Sequence, residues 1–230
     1  MEILSIIPAR GGSKGIPGKN IKQIDGKPLI AYSIIESQKS KYITRTILST
    51  EDEKIKNAAI EYGAEVIDRP MELAQDETKT APVMLHVLEE LEKQGYKPDL
   101  VILLQPTCPL RSAKEIDEAF ELYFKGGCDS VFAAQPVGLT HAAWRESPDG
   151  VFEGLYDYRN RPRRQDTDKH YKLYFETGSI YIIETDVMKK VKDFIGEKPK
   201  VYKPAEALDI DTIQDFERAE AIIVSRKSEN

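Results

Sequence analysis

The segment Asp99 to Thr107, "DLVILLQPT", limits the fold more than any other stretch. Its residues Leu100 to Leu104 are apolar without interruption. A run of that length suits a strand covered on both faces, as the strands of a parallel sheet are. It is far too short to cross a bilayer. The segments around it alternate in type. Ile3 to Ile7 reads as a first buried strand, and "PLIAYSIIESQKS" (Pro28 to Ser40) as a helix with Leu29, Ile30, Ile34 and Ile35 on one face. Ile43 to Thr50 reads as a second strand, Asp52 to Gly63 as a helix ending at glycine, and "AEVIDR" as a short third strand. A helix is expected from about Thr80 to Gln94, with Val83, Leu85, Val87, Leu88 and Leu91 as its apolar face. After the central strand, Ser112 with Glu115 forms a capping box that opens another helix, and "CDSVFAAQ" is a further strand.

Strand and helix in repeated alternation predict an α/β fold with a doubly wound, mainly parallel sheet. The alternation breaks from about Val137 to Glu176, a stretch rich in Tyr and Arg. "GSIYIIET", the helix "DVMKKVKDF", the strand "KPKVYK" and the closing helix "DTIQDFERAEAIIVSRK" then resume it. Residues 1–230 are therefore expected to form one domain, with 137–176 inserted as an arm.

Composition narrows the function. The 230 residues are 40% hydrophobic and 31% charged, which is a globular balance, and the net charge is −6. Basic residues are scattered apart from two local concentrations, so no nucleic-acid footprint is read. Cys108 and Cys128 are the two cysteines and lack a metal or redox spacing. No basic segment followed by an apolar one opens the chain, and a cytoplasmic, non-membrane protein is expected.

The first basic concentration follows the first strand directly. "PARGGSKGIPGKN", Pro8 to Asn20, holds four glycines, two prolines and the cations Arg10, Lys14 and Lys19. In an open α/β sheet, ligands bind beyond the carboxyl ends of the strands. Glycines let backbone N–H groups approach an anion closely. A Walker loop does not fit, because Ser13 stands where glycine should and Asn20 where Ser or Thr should. G-x-G-x-x-G does not fit either, since Gly12 is followed at threes by Gly15 and Gly18. A phosphate cradle of another kind is expected; the alternative is a solvated glycine-rich turn.

"IIPARGGSKGIPGKNI" resembles the signature of the acylneuraminate cytidylyltransferases, the CMP-sialic acid synthetases. "DRPMELAQDETKT" from Asp68, "LLQPTCPLR" from Leu103 and "LDIDT" from Leu208 match that family in order, over nearly the whole chain. CMP-Kdo synthetases have a similar first loop that usually continues differently. The resemblance implies a Rossmann-like nucleotidyltransferase fold and the reaction of CTP with a nine-carbon 2-keto sugar acid, giving a CMP-sugar and pyrophosphate. The acid would be of the N-acylneuraminic, legionaminic or pseudaminic type. It implies assistance by Mg²⁺ or Mn²⁺. A CMP-Kdo-type synthetase and a non-catalytic CTP-binding protein are the competing readings.

The resemblance also implies roles. Arg10, Gly11, Ser13, Lys14 and Lys19 would hold the triphosphate, with Arg10 and Lys19 acting on the reacting phosphate and Asn20 near the ribose or base. Arg69 would meet cytosine, whose carbonyl and ring nitrogen accept hydrogen bonds; Asp76 beside it suits a surface salt bridge. Thr80 would reach the ribose or cap its helix. Gln105 would meet the sugar and serve in catalysis, and Arg111 would bind its carboxylate or a phosphate. Tyr181 and Phe194 would line the sugar pocket, although Phe194 suits a core equally well. Asp209 and Asp211, with Ile210 between them, would present two carboxylates to the metal from an extended segment, with Asp211 catalytic. An acidic helix cap at Asp211 is the other reading. Cys108 reads as a buried filler. The second basic concentration, Arg159 to Asp166, contains Arg164 and Gln165, a pair that the family places in an arm exchanged between two subunits. A homodimer with sites completed across its interface is implied.

Overall fold

The computed structural model describes residues 1–136, 144–155, 157, 159–160, 163 and 174–228. The chain divides into two compact units, Met1–Ala133 with Thr177–Asn230, and Ala134–Glu176.

The first unit is built in chain order from β1 (Ile3–Pro8), a small hairpin of β2 (Gln23–Ile24) and β3 (Lys27–Pro28), α1 (Leu29–Lys39), β4 (Arg45–Thr50), α2 (Glu53–Glu61), β5 (Glu65–Asp68), α3 (Thr80–Lys93), β6 (Leu100–Leu103) and α4 (Ala113–Phe124). β7 (Ser130–Pro136) leads out of it. β10 (Tyr174–Glu184) leads back, followed by α5 (Thr185–Val191), β11 (Pro199–Tyr202) and α6 (Ile213–Ser228). Between them lie β8 (Trp144–Glu146) and β9 (Phe152–Gly154), an antiparallel pair in the second unit.

The seven-stranded sheet has the order β11-β7-β10-β6-β1-β4-β5. β1 runs parallel to both β4 and β6, β4 to β5, and β11 to β7. β10 is the exception. It lies antiparallel to β6, with Tyr181 opposite Leu103. The sheet is therefore mixed. The apolar run of β10 reports burial on both faces and carries no information on direction.

Successive side chains of each strand point to opposite faces, and both faces are covered. Ile3, Ile7, Ile102 and Leu104 pack with Ile30 and Ile34 of α1 and Phe120 of α4. Leu4, Ile6, Val101 and Leu103 pack with Met84, Val87, Leu88 and Leu91 of α3. Each such side chain contributes about 1.5–3 kcal/mol on burial. Within α3 the buried face runs through Val83, Met84, Val87, Leu88 and Leu91. Met84 takes the place expected for Leu85, because i, i+1, i+4, i+5 and i+8 form the stripe and Leu85 lies at its margin.

A third, smaller cluster matters most for the site. Ile16, Ile24, Leu29, Leu110, Ile210, Phe216, Ala219 and Ile223 pack together. Ile16 belongs to the opening loop and Ile210 to the segment before α6, so one apolar nucleus fixes both. No described helix is long and apolar enough to cross a membrane.

Candidate active site

β1 ends at Pro8, and the loop to Asn20 turns over the carboxyl edge of the sheet. Buried Ile16 pins it from below. Gly15 has no room for a side chain: a Cβ there would stand 2.7 Å from the backbone oxygen of Asp211. Gly18 has φ +65°, left-handed backbone that favours glycine, and starts the single turn Lys19–Ile21. Two side chains brace the loop from within. Asn20, 6% exposed, donates from Nδ2 to the carbonyl of Arg10 at 2.9 Å. Glu51 Oε1 accepts from the N–H of Gly11 at 2.7 Å.

Lys19 reaches across to the facing segment. Its Nζ donates to the carbonyl of Ile210 at 2.6 Å and lies 4.0 Å from Asp211 Oδ1. Ile210 is fully buried while Asp209 and Asp211 on either side are exposed, as alternation in an extended segment requires. The N–H of Ile210 donates to the carbonyl of Thr107 at 2.9 Å, which ties the segment to the exit of β6. Asp211 does not cap α6. Thr212 and Asp215 do so reciprocally: Asp215 N–H donates to Thr212 Oγ1 at 3.2 Å, and Thr212 N–H to Asp215 Oδ2 at 2.8 Å. The Asp211 side chain is 81% exposed.

The segment after β5 forms another wall of the site. Arg69 is buried, with Nε donating to Ser49 Oγ at 3.3 Å and Nη2 to Ser49 O at 2.6 Å. Burial lowers its pKa. Asp76 holds two cations of the loop at once, Arg10 Nη1 and Lys14 Nζ, each at 2.6 Å. Hydrogen bonds from Lys14 and then Arg10 hold its carboxyl below the usual carboxylate range. Thr80 is the first residue of α3 and not its cap; Lys79 occupies the cap position without a side-chain bond.

These walls enclose a cleft of about 390 Å³ lined by Arg10, Ser13, Lys14, Lys19, Asn20, Arg69, Thr80, Gln105 and Asp211 among the expected residues. The rest of its lining is Pro8 and Gly15 of the loop, Val83, expected only on the apolar face of α3, and Leu73, Gln75, Thr78, Pro106 and Thr107, for which no role was expected. Most of these lie inside the two motifs that begin at Asp68 and Leu103, so motif membership was their only signal.

The other expected residues lie elsewhere. Gly11 sits beside the cleft, where its N–H is engaged by Glu51. Asp209, before Ile210, is not in the cleft lining, and its Oδ1 lies 3.9 Å from the Cys108 sulfur. Arg111, expected on the sugar, is buried behind the cleft and bonds to Ser33, Ser179 and Gln105. Its place in the motif does not show that its guanidinium folds back. Tyr181 is also buried and meets Phe194 edge-on, with ring centroids 4.7 Å apart, within the core over α3. Neither ring lines the cleft. Cys108 is buried, and burial pushes its thiol up to about 12, so it stays protonated. Arg164 and Gln165 lie outside the described residues.

Known proteins resemble this chain along most of its length. A family model described as cytidylyltransferase matches residues 4–229. The CMP-N,N'-diacetyllegionaminic acid synthase of Legionella pneumophila is 33% identical over 235 residues, 97% of each chain. A pseudaminic acid cytidylyltransferase of Campylobacter jejuni is 33% identical, with 96% of each chain covered. N-acylneuraminate cytidylyltransferase A of Danio rerio is 34% identical over 95% of this chain and 50% of that protein. In structure, a CMP:2-keto-3-deoxy-manno-octonic acid synthetase complexed with CTP superposes with a TM-score of 0.74, covering 98% of this chain and all of that one, at 16% identity. That likeness is one of fold. With a family match along almost its entire length and relatives of this similarity, the chain belongs to the cytidylyltransferase family.

Proposed function

We propose that this protein transfers CMP from CTP to a nine-carbon 2-keto sugar acid and releases pyrophosphate. One observation carries the reading: a cleft at the carboxyl edge of the sheet sets three loop cations, Arg10, Lys14 and Lys19, opposite the carboxylate of Asp211. The named activities of the relatives supply the substrate class.

The anomeric oxygen of the sugar acid bonds to the α-phosphorus, the bond from that phosphorus to pyrophosphate breaks, and the hydroxyl proton is released. Positioning and charge stabilisation supply most of the acceleration in such transfers. Arg10, Ser13 and Lys14 bind the outgoing phosphates. Lys19, 14% exposed and anchored on the Ile210 carbonyl, is held where the reacting phosphate gains charge. Arg69 spends Nε and Nη2 on Ser49, which leaves Nη1 for the acceptor edge of cytosine. Thr80 and Asn20 serve the nucleoside, and Gln105 orients the sugar acid. Tyr181 and Phe194 support that pocket from the core behind it. Asp209 and Asp211 fit Mg²⁺ or Mn²⁺: both are exposed hard-oxygen donors on one short segment, and such ions complete their shells with water and phosphate. Bound there, the cation would neutralise phosphate charge.

The acting species is a homodimer in this reading. Its support is the second unit, which exposes Trp144, Val151, Phe152, Leu155 and Phe175. A cytoplasmic location accords with two free cysteines and with the supply of CTP.

The test is pyrophosphate release from CTP, and from the other nucleoside triphosphates, across N-acetylneuraminic, legionaminic, pseudaminic and Kdo acids, with the divalent cation present or chelated. Release is expected with CTP and at least one nine-carbon acid, and to stop on chelation. Release with Kdo alone, or CTP binding without turnover on any acid, would refute the reading.

A further inference from the structure

Arg111 is a buried cation that the cleft does not touch. It is 5% exposed, and among the described residues no carboxylate forms an ion pair with it. Glu115 and Glu36 act on it only from a distance, and burial lowers its pKa to about 10. A buried charge without a counter-ion is costly, and an apolar residue of similar length would avoid that cost. Its contacts indicate what offsets it. Nη1 donates to the carbonyl of Ser179 and, at 3.4 Å, to that of Gln105. Nη2 donates to Ser33 Oγ at 2.6 Å and to the same Gln105 carbonyl at 3.4 Å. Ser33 Oγ in turn donates to Gln105 O at 3.4 Å. Nε has no partner among the described residues.

The two carbonyls meet at one corner beside the cleft. Gln105 follows β6 and lines the cleft. Ser179 follows Gly178 on β10. A Cβ on Gly178 would stand 2.9 Å from Gln105 Oε1 and 3.2 Å from Asp209 Oδ2, so this corner is closely fitted and has no slack. The guanidinium fork ties its two backbone edges together.

We infer that Arg111 is a positioning residue for the transfer step, fixing the Gln105 carbonyl against Ser179 from behind the cleft and so setting where the Gln105 side chain meets the sugar acid. The inference rests on the transferase reading above. The unpaired charge also lends positive potential to a site that receives two anionic substrates.

Arg111→Met and Arg111→Lys, compared with the unaltered protein, test it by two readouts. The first needs no turnover. The N–H of Cys108 donates to Gln105 O at 3.3 Å, so its hydrogen exchange reports on that carbonyl. Exchange is expected to quicken about tenfold in Arg111→Met. The second is kinetic. In Arg111→Met, kcat per folded molecule should fall about ten- to a hundredfold, with KM for CTP changed less than about threefold. Arg111→Lys, which keeps the charge and loses the fork, should recover part of kcat. Unchanged exchange and kcat would overturn the inference. So would a loss of activity that tracks only the folded fraction, which is what a purely structural role predicts. If Arg111→Met fails to fold, the lysine variant carries the test, and exchange at Cys108 as slow as in the unaltered protein would overturn the inference. An unaltered protein inactive on every acid would refute the transferase reading instead, while exchange at Cys108 would still decide whether Arg111 holds Gln105.

Discussion

Asp76 pairs with Arg10 and Lys14, the two more exposed cations of the loop. A triphosphate needs the same two groups, so carboxylate and phosphate compete for them. Asp76→Asn removes the competing charge and keeps the shape. CTP is expected to bind about two- to fivefold more tightly to this variant by calorimetry, with the gap closing at high ionic strength. The sign with pH follows from the lowered pKa of Asp76. The pair is complete above the ordinary carboxylate range and is lost as pH falls through the depressed value. Acidification should therefore bring the unaltered protein towards the variant. Weaker binding by Asp76→Asn would show that the carboxylate organises the cations for phosphate and does not compete with it.

The segment before α6 shows how an element separates two readings of one motif. "DIDT" could supply metal ligands or a helix cap. The cap falls to Thr212 with Asp215, which leaves Asp211 facing Lys19. Thr212→Ala should therefore cost about 1 kcal/mol and lower Tm by about 2–4 °C, with turnover nearly intact. Asp211→Asn should do the reverse, cutting kcat by about a hundredfold or more with Tm unchanged. A stability loss in Asp211→Asn equal to that in Thr212→Ala would return Asp211 to the cap. Periodicity made the elements legible for a physical reason, since burial on both faces writes unbroken apolar runs such as Leu100–Leu103 and the capping box at Ser112 writes its own start. Direction is not written that way, which is why β10 against β6 was not foreseen. The cleft was legible where charge and glycine coincide in one loop. It was not legible at Arg111, just before the cap of α4, and Tyr181, within β10, because a polar side chain can turn toward ligand or core with the same sequence around it.

Across the molecule, the described residues that line the cleft all come from the larger unit, while five exposed large apolar side chains, Trp144, Val151, Phe152, Leu155 and Phe175, lie in the smaller one. Val151, Phe152 and Phe175 are 60–69% exposed. Aromatic side chains bury about 150–250 Å² each when covered, and a chain that leaves several uncovered in one unit gains by pairing. With a second copy as the partner, the 26.0 kDa chain is expected to sediment at twice its mass. Phe152→Asp combined with Phe175→Asp places charges where an apolar contact would form and should weaken the dimer about a hundredfold or more. Because no cleft residue among the described residues belongs to the smaller unit, the double variant should still bind CTP with unchanged affinity. Turnover should fall in step with the monomer fraction if the sugar site is completed by the partner. A dimer that survives both substitutions would place the interface elsewhere, and a monomer with full turnover would show that each chain carries a whole site.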